Sequence, residues 1–266
     1  MPDTETQTDV LHDLFGVAGK VVLVTGGSRG IGRAIAEGFV RAGATVYICG
    51  RKADDCARTA EELSAYGPCH PMAADLGSVA GCRDLAERIG ARESALDVLV
   101  SNAGALWAAT LAEYPESGWD KVFDLNVKGT FFLVQALLPL LQAAGTPAGP
   151  ARIISVGSID GFHIPKHETY AYSASKAAVH QLARHLAAQL APSITVNVIA
   201  PGMFPSKMLA ATLERRGADD MLSGVPLQRF VGPNDMAGTA IFLASPAGSY
   251  LTGAVLPVDG GTATTL

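Results

Sequence analysis

The chain has 266 residues, 48% of them hydrophobic, and carries 20 Lys and Arg against 25 Asp and Glu, a formal net charge of -5. That length buries a full core in one α/β domain, and an acidic balance with no run of Lys or Arg sets nucleic acid aside as a partner. The opening MPDTETQTDVLHDLFG lacks basic and apolar leader regions, and no later apolar run is expected to reach spanning length, so no membrane contact is expected.

Cys49, Cys56, Cys69 and Cys82 show neither C-x-x-C spacing nor a neighbouring His pair, so they read as reduced structural thiols of a cytoplasmic protein. No metal site is expected. His163 and His167 stand four apart, but no third ligand accompanies them, and they read as loop residues lining a mouth.

Residues 1–15 are polar and predict a frayed or surface-lying extension, with residues 16–266 forming the domain. Val21 to Val24 predicts a strand that ends at once in Thr25-Gly26-Gly27-Ser28-Arg29-Gly30-Ile31-Gly32, and helical periodicity resumes at Ala34. A glycine turn between a strand and a helix lets the backbone approach a pyrophosphate, with the helix N–H groups aimed at it. The spacing T-G-x-x-x-G-x-G departs from G-x-G-x-x-G.

Thr45 to Cys49 predicts the second strand, which runs into Gly50-Arg51-Lys52 rather than into a carboxylate. An acidic residue there would hold the ribose 2′-hydroxyl of NAD, whereas the planar fork of Arg51 suits the 2′-phosphate of NADP. Arg29 is a second candidate for that phosphate. The bland alternative is that Arg51 is a solvated residue at the start of the next helix.

A helix over Lys52 to Tyr66, a short strand ending near Asp75-Leu76, a helix capped by Ser78 and a strand over Leu96 to Val100 follow. This alternation predicts a doubly wound parallel sheet covered on both faces, with ligands at the carboxyl ends of its strands. Gly26, Arg51, Asp75, Asn102 and Ser158 all lie just past predicted strands, so they should gather along one edge.

Ser117 to Leu141 predicts one long helix that is apolar on more than one face. The excess face implies self-association, as a homodimer or homotetramer, or burial under another helix of the same chain. The later elements are a strand after Pro150, a strand over Ile194 to Ile199, a helix over Asn234 to Leu243 and a strand over Val255 to Val258. Residues of about 203–226 mix helix formers with Gly217 and Gly224, as a movable substrate cover does.

The stretch from Ile153 to Lys176 carries the chemistry. Helical spacing puts Tyr172 and Lys176 on one face, and Ser158 arrives from the preceding strand end, where its hydroxyl can hold a substrate oxygen. A cation ~4 Å from the phenol is worth about 4 kcal/mol at an effective dielectric of ~20, enough to lower the phenol pKa by roughly 3 units. Alone, such a pair is more often an exposed helical contact worth a few tenths of a kcal/mol.

With T-G-G-S-R-G-I-G at 25–32, N-A-G at 102–104, Asn126, Ser158, Y-S-A-S-K at 172–176 and P-G at 201–202, the chain resembles the short-chain dehydrogenase/reductase family from about Ala18 onward. The resemblance implies a single-domain Rossmann fold with a seven-stranded parallel sheet. It also implies hydride transfer from a nicotinamide to a carbonyl carbon, reducing a ketone to a secondary alcohol. By that resemblance Tyr172 is the acid/base, Ser158 holds the carbonyl oxygen, Lys176 lowers the tyrosine pKa and binds the ribose, and the backbone about Asn126 holds a relay water. Gly26, Ser28, Arg29, Gly30, Ile31, Gly32, Arg51, Asp75, Leu76, Asn102, Ala103, Gly104, Pro201, Gly202, Phe204 and Ser206 join Tyr172 and Lys176 as cofactor-binding positions.

More narrowly, VYICGRKADDCARTAEELSAYG, EYPESGWDKVFDLNV and NVIAPGMFPSKM resemble NADPH-dependent 3-oxoacyl reductases of bacterial rhamnolipid synthesis. Relatives that take substrate from an acidic acyl-carrier protein carry arginines in stretches corresponding to Leu141 to Ala151 and Ala187 to Ser193. Neither stretch contains one here, which leaves such a carrier in doubt and a free or coenzyme A-linked ketone open. The alternatives are an NAD-dependent alcohol or polyol dehydrogenase and a dinucleotide-binding regulator without turnover.

Overall fold

In Val21–Thr25 (β1) alternate side chains leave on opposite faces: Val22 and Val24 join one core cluster while Leu23 joins the other. The same division holds across the seven strands, so helices cover both faces. The computed structural model describes residues 4–165 and 167–265, which leaves residues 1–3 of the expected extension outside it.

The chain runs through Thr4–Phe15 (α1), β1, Gly30–Arg41 (α2), Thr45–Gly50 (β2), Ala53–Leu63 (α3), Cys69–Ala73 (β3), Val79–Gly90 (α4) and Val98–Ser101 (β4). Next come Glu116–Phe123 (α5), a π-helical turn over Asp124–Gly129, Thr130–Ala144 (α6), Ala151–Val156 (β5) and Tyr170–Leu190 (α7). Ile194–Pro201 (β6), Lys207–Arg216 (α8), Ala218–Leu222 (α9), Pro233–Ala244 (α10) and Val255–Val258 (β7) complete it. The sheet order is β3-β2-β1-β4-β5-β6-β7 and each neighbouring pair is parallel. Phe39, Ile35, Met236 and Leu243 from α2 and α10 fill one face, and Leu85, Leu133, Leu137 and Ala183 from α4, α6 and α7 fill the other.

The elements follow their local signals closely. Ser78 caps α4 by accepting from Gly81 N at 3.1 Å, and β4, β5 and β6 are buried along their whole length, as strands covered on both faces must be.

The N-terminal extension is helical, and α1 lies on the surface against the turn Pro246–Gly248, with Val10, Leu11, Leu14 and Phe15 exposed. Two expectations change. The long helix is not uniform, because Asp124–Gly129 widens to π geometry between α5 and α6. Its apolar length also exceeds the expectation. Glu116–Ala144 runs for 29 helical residues at a mean hydropathy of 1.4 over its best window, long and apolar enough to cross a membrane. Here Leu133, Leu137 and Leu141 are spent against the sheet and α4, and Asp124 pairs with Lys128 at 3.1 Å on the same helix.

Candidate active site

β1 leads to β2 and β3 on one side, and the chain then returns to place β4 on the other side of β1, so the sheet divides at the carboxyl ends of β1 and β4. Open α/β sheets bind ligands at such a division. Thr25 and Asn102 tie the two loops together there. Thr25 is fully buried, and its Oγ1 donates to Val100 O at 3.3 Å and accepts from Asn102 N and Ala103 N, both at 2.9 Å. Asn102 Nδ2 donates back to Thr25 O at 2.8 Å.

Gly26 has φ +66 and Gly30 φ +56, a region side chains rarely enter. A Cβ on Gly26 would stand 2.7 Å from Asn102 Nδ2, so the loop closes only around hydrogen. Arg29 is the N-cap of α2 and offers no side-chain hydrogen bond, and no acidic residue occupies the first turn. The N–H groups of α2 therefore face outward with no anion supplied by their own helix, which fits a pyrophosphate. Ile31 packs on the core beneath and Gly32 is buried against Gly26 O.

The remaining cofactor candidates lie along the same edge. Arg29 and Arg51 are exposed, and neither forms an ion pair among the described residues. Ser28 points elsewhere: its hydroxyl meets the Cys56 thiol, and its carbonyl accepts from Thr59 Oγ1 at 3.0 Å. Asp75 is exposed just past β3, accepting from Gly77 N at 3.1 Å, with Leu76 buried beside it. Pro201 ends β6, Gly202 N donates to Val258 O at 2.9 Å, and Phe204 packs on the core. Ser206 opens α8 opposite the glycine turn, its Cβ 3.8 Å from where Gly30 would carry one.

Gly104 joins this region to the chemical group, since a Cβ there would lie 3.4 Å from Asn126 Oδ1 and 3.8 Å from Lys176 Nζ. Asn126 sits in the π turn and is buried. Its Nδ2 donates to Ala105 O at 3.0 Å and Ser175 Oγ at 2.9 Å, and its Oδ1 accepts from Ala105 N at 2.8 Å. Ser175 Oγ donates in turn to Tyr172 O at 2.7 Å. Thr130 Oγ1 donates to Asn126 O at 2.8 Å and meets Ser101 Oγ at 3.2 Å. One network thus connects the loop after β4, the π turn and the start of α7.

Lys176 is buried, and its Nζ donates to Val156 O at 2.8 Å while standing 5.4 Å from the centre of the Tyr172 ring. The expected fall in the phenol pKa does not occur in the free protein. Burial pushes Tyr172 up to about 12, the nearby Asp160 carboxylate adds to the rise, and Ser158 acts the other way. Burial likewise pushes Lys176 down to about 8, against the pull of Asp160. In the free protein Lys176 is turned toward a backbone carbonyl, and the phenol is not lowered by it. Asp160 is itself raised by burial, with His167, His163 and Lys176 opposing, so the loop histidines lie near that carboxylate.

Thr25, Ser175 and Asp160 were missed as site residues. Thr25 and Ser175 lie inside the quoted motifs, but their role is to hold loops, which no spacing signals. Another expectation changes as well. Leu141 to Ala151 and Ala187 to Ser193 lie at the amino ends of β5 and β6, across the sheet from Tyr172. The lack of arginine before Arg152 therefore says nothing about this chain's own mouth.

The sequence matches the family model described as enoyl-(acyl carrier protein) reductase over residues 26–263. It is 50% identical over 255 residues to a rhamnolipids biosynthesis 3-oxoacyl-[acyl-carrier-protein] reductase of Pseudomonas aeruginosa, covering 94% of this chain and 99% of that one. It is 34% identical over 249 residues to the 3-oxoacyl-[acyl-carrier-protein] reductase FabG of Thermotoga maritima, covering 91% and 97%. The solved Pseudomonas aeruginosa RhlG/NADP active-site complex superposes with a TM-score of 0.92 at 49% identity, covering 95% of this chain and 99% of that one.

Proposed function

The chain belongs to the short-chain dehydrogenase/reductase family, and from that premise we propose that it reduces the ketone of a 3-oxoacyl thioester, or a similar 3-oxo compound, to a secondary alcohol. It is an NADP-dependent oxidoreductase. The observation that carries the reading is the assembly of buried Ser158, Lys176 and Asn126 with half-buried Tyr172 beside the glycine turn, with a phenol that keeps its proton. Burial holds Tyr172 near 12, so the phenol carries its proton at working pH and can give it to a carbonyl oxygen once nearby positive charge offsets the phenolate left behind.

The α2 amino end would hold the pyrophosphate of NADPH, with Arg51 or Arg29 at its 2′-phosphate, and the cofactor would supply the hydride that the carbonyl carbon takes. Ser158 holds the carbonyl oxygen and Tyr172 Oη gives it a proton, leaving a phenolate. Lys176 offsets that charge, and the Asn126 network fixes the start of α7, which carries Tyr172, through Ser175. NADPH absorbance followed against 3-oxoacyl thioesters on coenzyme A and on acyl-carrier protein, 3-oxo esters and small diketones tests the reading. Turnover on none of them would return the chain to a non-catalytic dinucleotide binder.

The coenzyme A and carrier thioesters differ only in what bears the acyl group, so their ratio of kcat/KM decides whether a carrier protein is a partner. Residues 203–226 are read as a substrate cover, supported by α8 standing opposite Gly30 and by Gly217 at φ +78 between α8 and α9. The four described cysteines are free and buried, which supports a reducing, cytoplasmic setting.

The outer face of α5 and α6 supports self-association. Trp119 and Phe131 are exposed, and the Trp119 and Phe123 rings stack at 5.1 Å. A face of this kind favours a second copy of the chain over water. Light scattering at micromolar concentration should give the mass of a dimer or tetramer, and a monomeric mass would rule this out.

A further inference from the structure

Successive turns of α7 present Tyr172, Lys176 and His180 toward one segment, residues 156–161, which leaves β5 and carries Ser158. Tyr172 meets Ser158, and Lys176 donates to Val156 O at 2.8 Å. His180 meets the two glycines that flank the serine. A Cβ on Gly157 would collide with His180 Nε2, and one on Gly161 with His180 Cε1 and, at 2.8 Å, Nδ1. Gly161 N donates to Ser158 O at 3.1 Å, so Gly161 closes the turn that aims the serine.

The imidazole is only 4% exposed, its Nε2 has no hydrogen-bond partner among the described residues, and the Phe162 ring lies 5.8 Å away. A buried nitrogen without a partner costs free energy, and the proposed reaction gives this group no chemical task. Burial, then Lys176 and Arg184, push its pKa down to about 4, so it is a neutral ring at working pH. Its contribution is shape.

We infer that His180 is a positioning residue, a neutral wedge that fills the space over Gly157 and Gly161 and thereby fixes the Ser158 hydroxyl beside Tyr172. The inference rests on the reading of Ser158 and Tyr172 as the carbonyl-holding pair. With the wedge removed, the turn can relax into the vacated volume, and a displacement of the order of 1 Å at a reacting group costs up to ~100-fold in rate.

The test uses the full chain, NADPH and whichever 3-oxo substrate the parent turns over. His180→Ala should lower kcat by ~10- to 100-fold while the NADPH dissociation constant stays within a few-fold of the parent. His180→Leu, of similar volume and without nitrogens, should restore kcat to within a few-fold. Gly161→Ala should lower kcat sharply in the parent but much less in the His180→Ala background, where both imidazole contacts are gone and the Lys176 carbonyl carbon at 3.0 Å remains.

Parental kcat in His180→Ala overturns the inference. So does equal loss from Gly161→Ala in both backgrounds, or NADPH affinity falling in step with kcat. If His180→Ala does not fold, His180→Leu decides: a loss there as large as in Gly161→Ala shows that the imidazole acts through its nitrogens. A parent inactive on every substrate defeats the functional reading instead, so the two failures are distinguishable.

Discussion

Tyr172→Phe should lose at least ~100-fold in kcat, because a positioned proton donor contributes roughly 100- to 10,000-fold and the phenylalanine ring replaces the rest of the side chain. The ring's place 5.4 Å from Lys176 Nζ is kept, so NADPH affinity, read by fluorescence titration, should stay within a few-fold of the parent. Comparable turnover in this variant would sink the mechanism. The pH profile separates the two partners. Tyr172, near 12, remains protonated across the working range, whereas Lys176, near 8, loses its charge as pH rises. Without that charge the phenolate left by proton transfer has no counter-ion, so kcat/KM for reduction should be level below about pH 7 and fall through 8 to 9. A profile level to pH 10 would contradict this account of Lys176.

Arg51→Ala should weaken NADPH by roughly 10- to 100-fold and leave NADH nearly unchanged, because a charge-assisted hydrogen bond to the 2′-phosphate is worth about 1.5 to 3 kcal/mol. Arg51 is exposed at the end of β2 and no carboxylate competes for it among the described residues. Equal loss for both cofactors, or a parent that prefers NADH, makes the assignment of Arg51 wrong and leaves the choice to Arg29 or another group; Arg29 lies close enough to Asp55 to help hold its carboxyl below the usual range after Arg58 and Lys52. The complementary change needs a second substitution. A Cβ on Gly50 would stand 2.9 Å from Cys56 Sγ and 3.4 Å from Ser28 Oγ. Gly50→Asp alone should therefore disturb the glycine turn and weaken both cofactors. Gly50→Asp with Cys56→Ala gives the carboxylate room, and NADH should then bind more tightly than NADPH, since the carboxylate accepts from the free ribose hydroxyl and repels a phosphate.

Local chemistry by itself determined the order of strands and helices, the glycine turn, the caps and the helical spacing of Tyr172 and Lys176, because each depends on neighbours within a few residues. It also determined the edge at which Gly26, Asn102 and Ser158 gather, since parallel strands joined by helices bring every following loop to the same side. The π turn at Asp124–Gly129 was not legible. It accompanies bonds from Asn126 to Ala105 and Ser175, which are 21 and 49 residues away in the chain. The direction of the Tyr172 shift was likewise decided in three dimensions. Spacing put a lysine within reach, but burial and Asp160 act on the phenol while Lys176 turns to Val156 O. The separation of Leu141 to Ala151 from the catalytic mouth, and the closeness of Cys56 to Gly50, follow from packing between segments that share no local pattern. A sequence period fixes which face a side chain takes, while burial, charge and close contact depend on what the folded chain brings against that face.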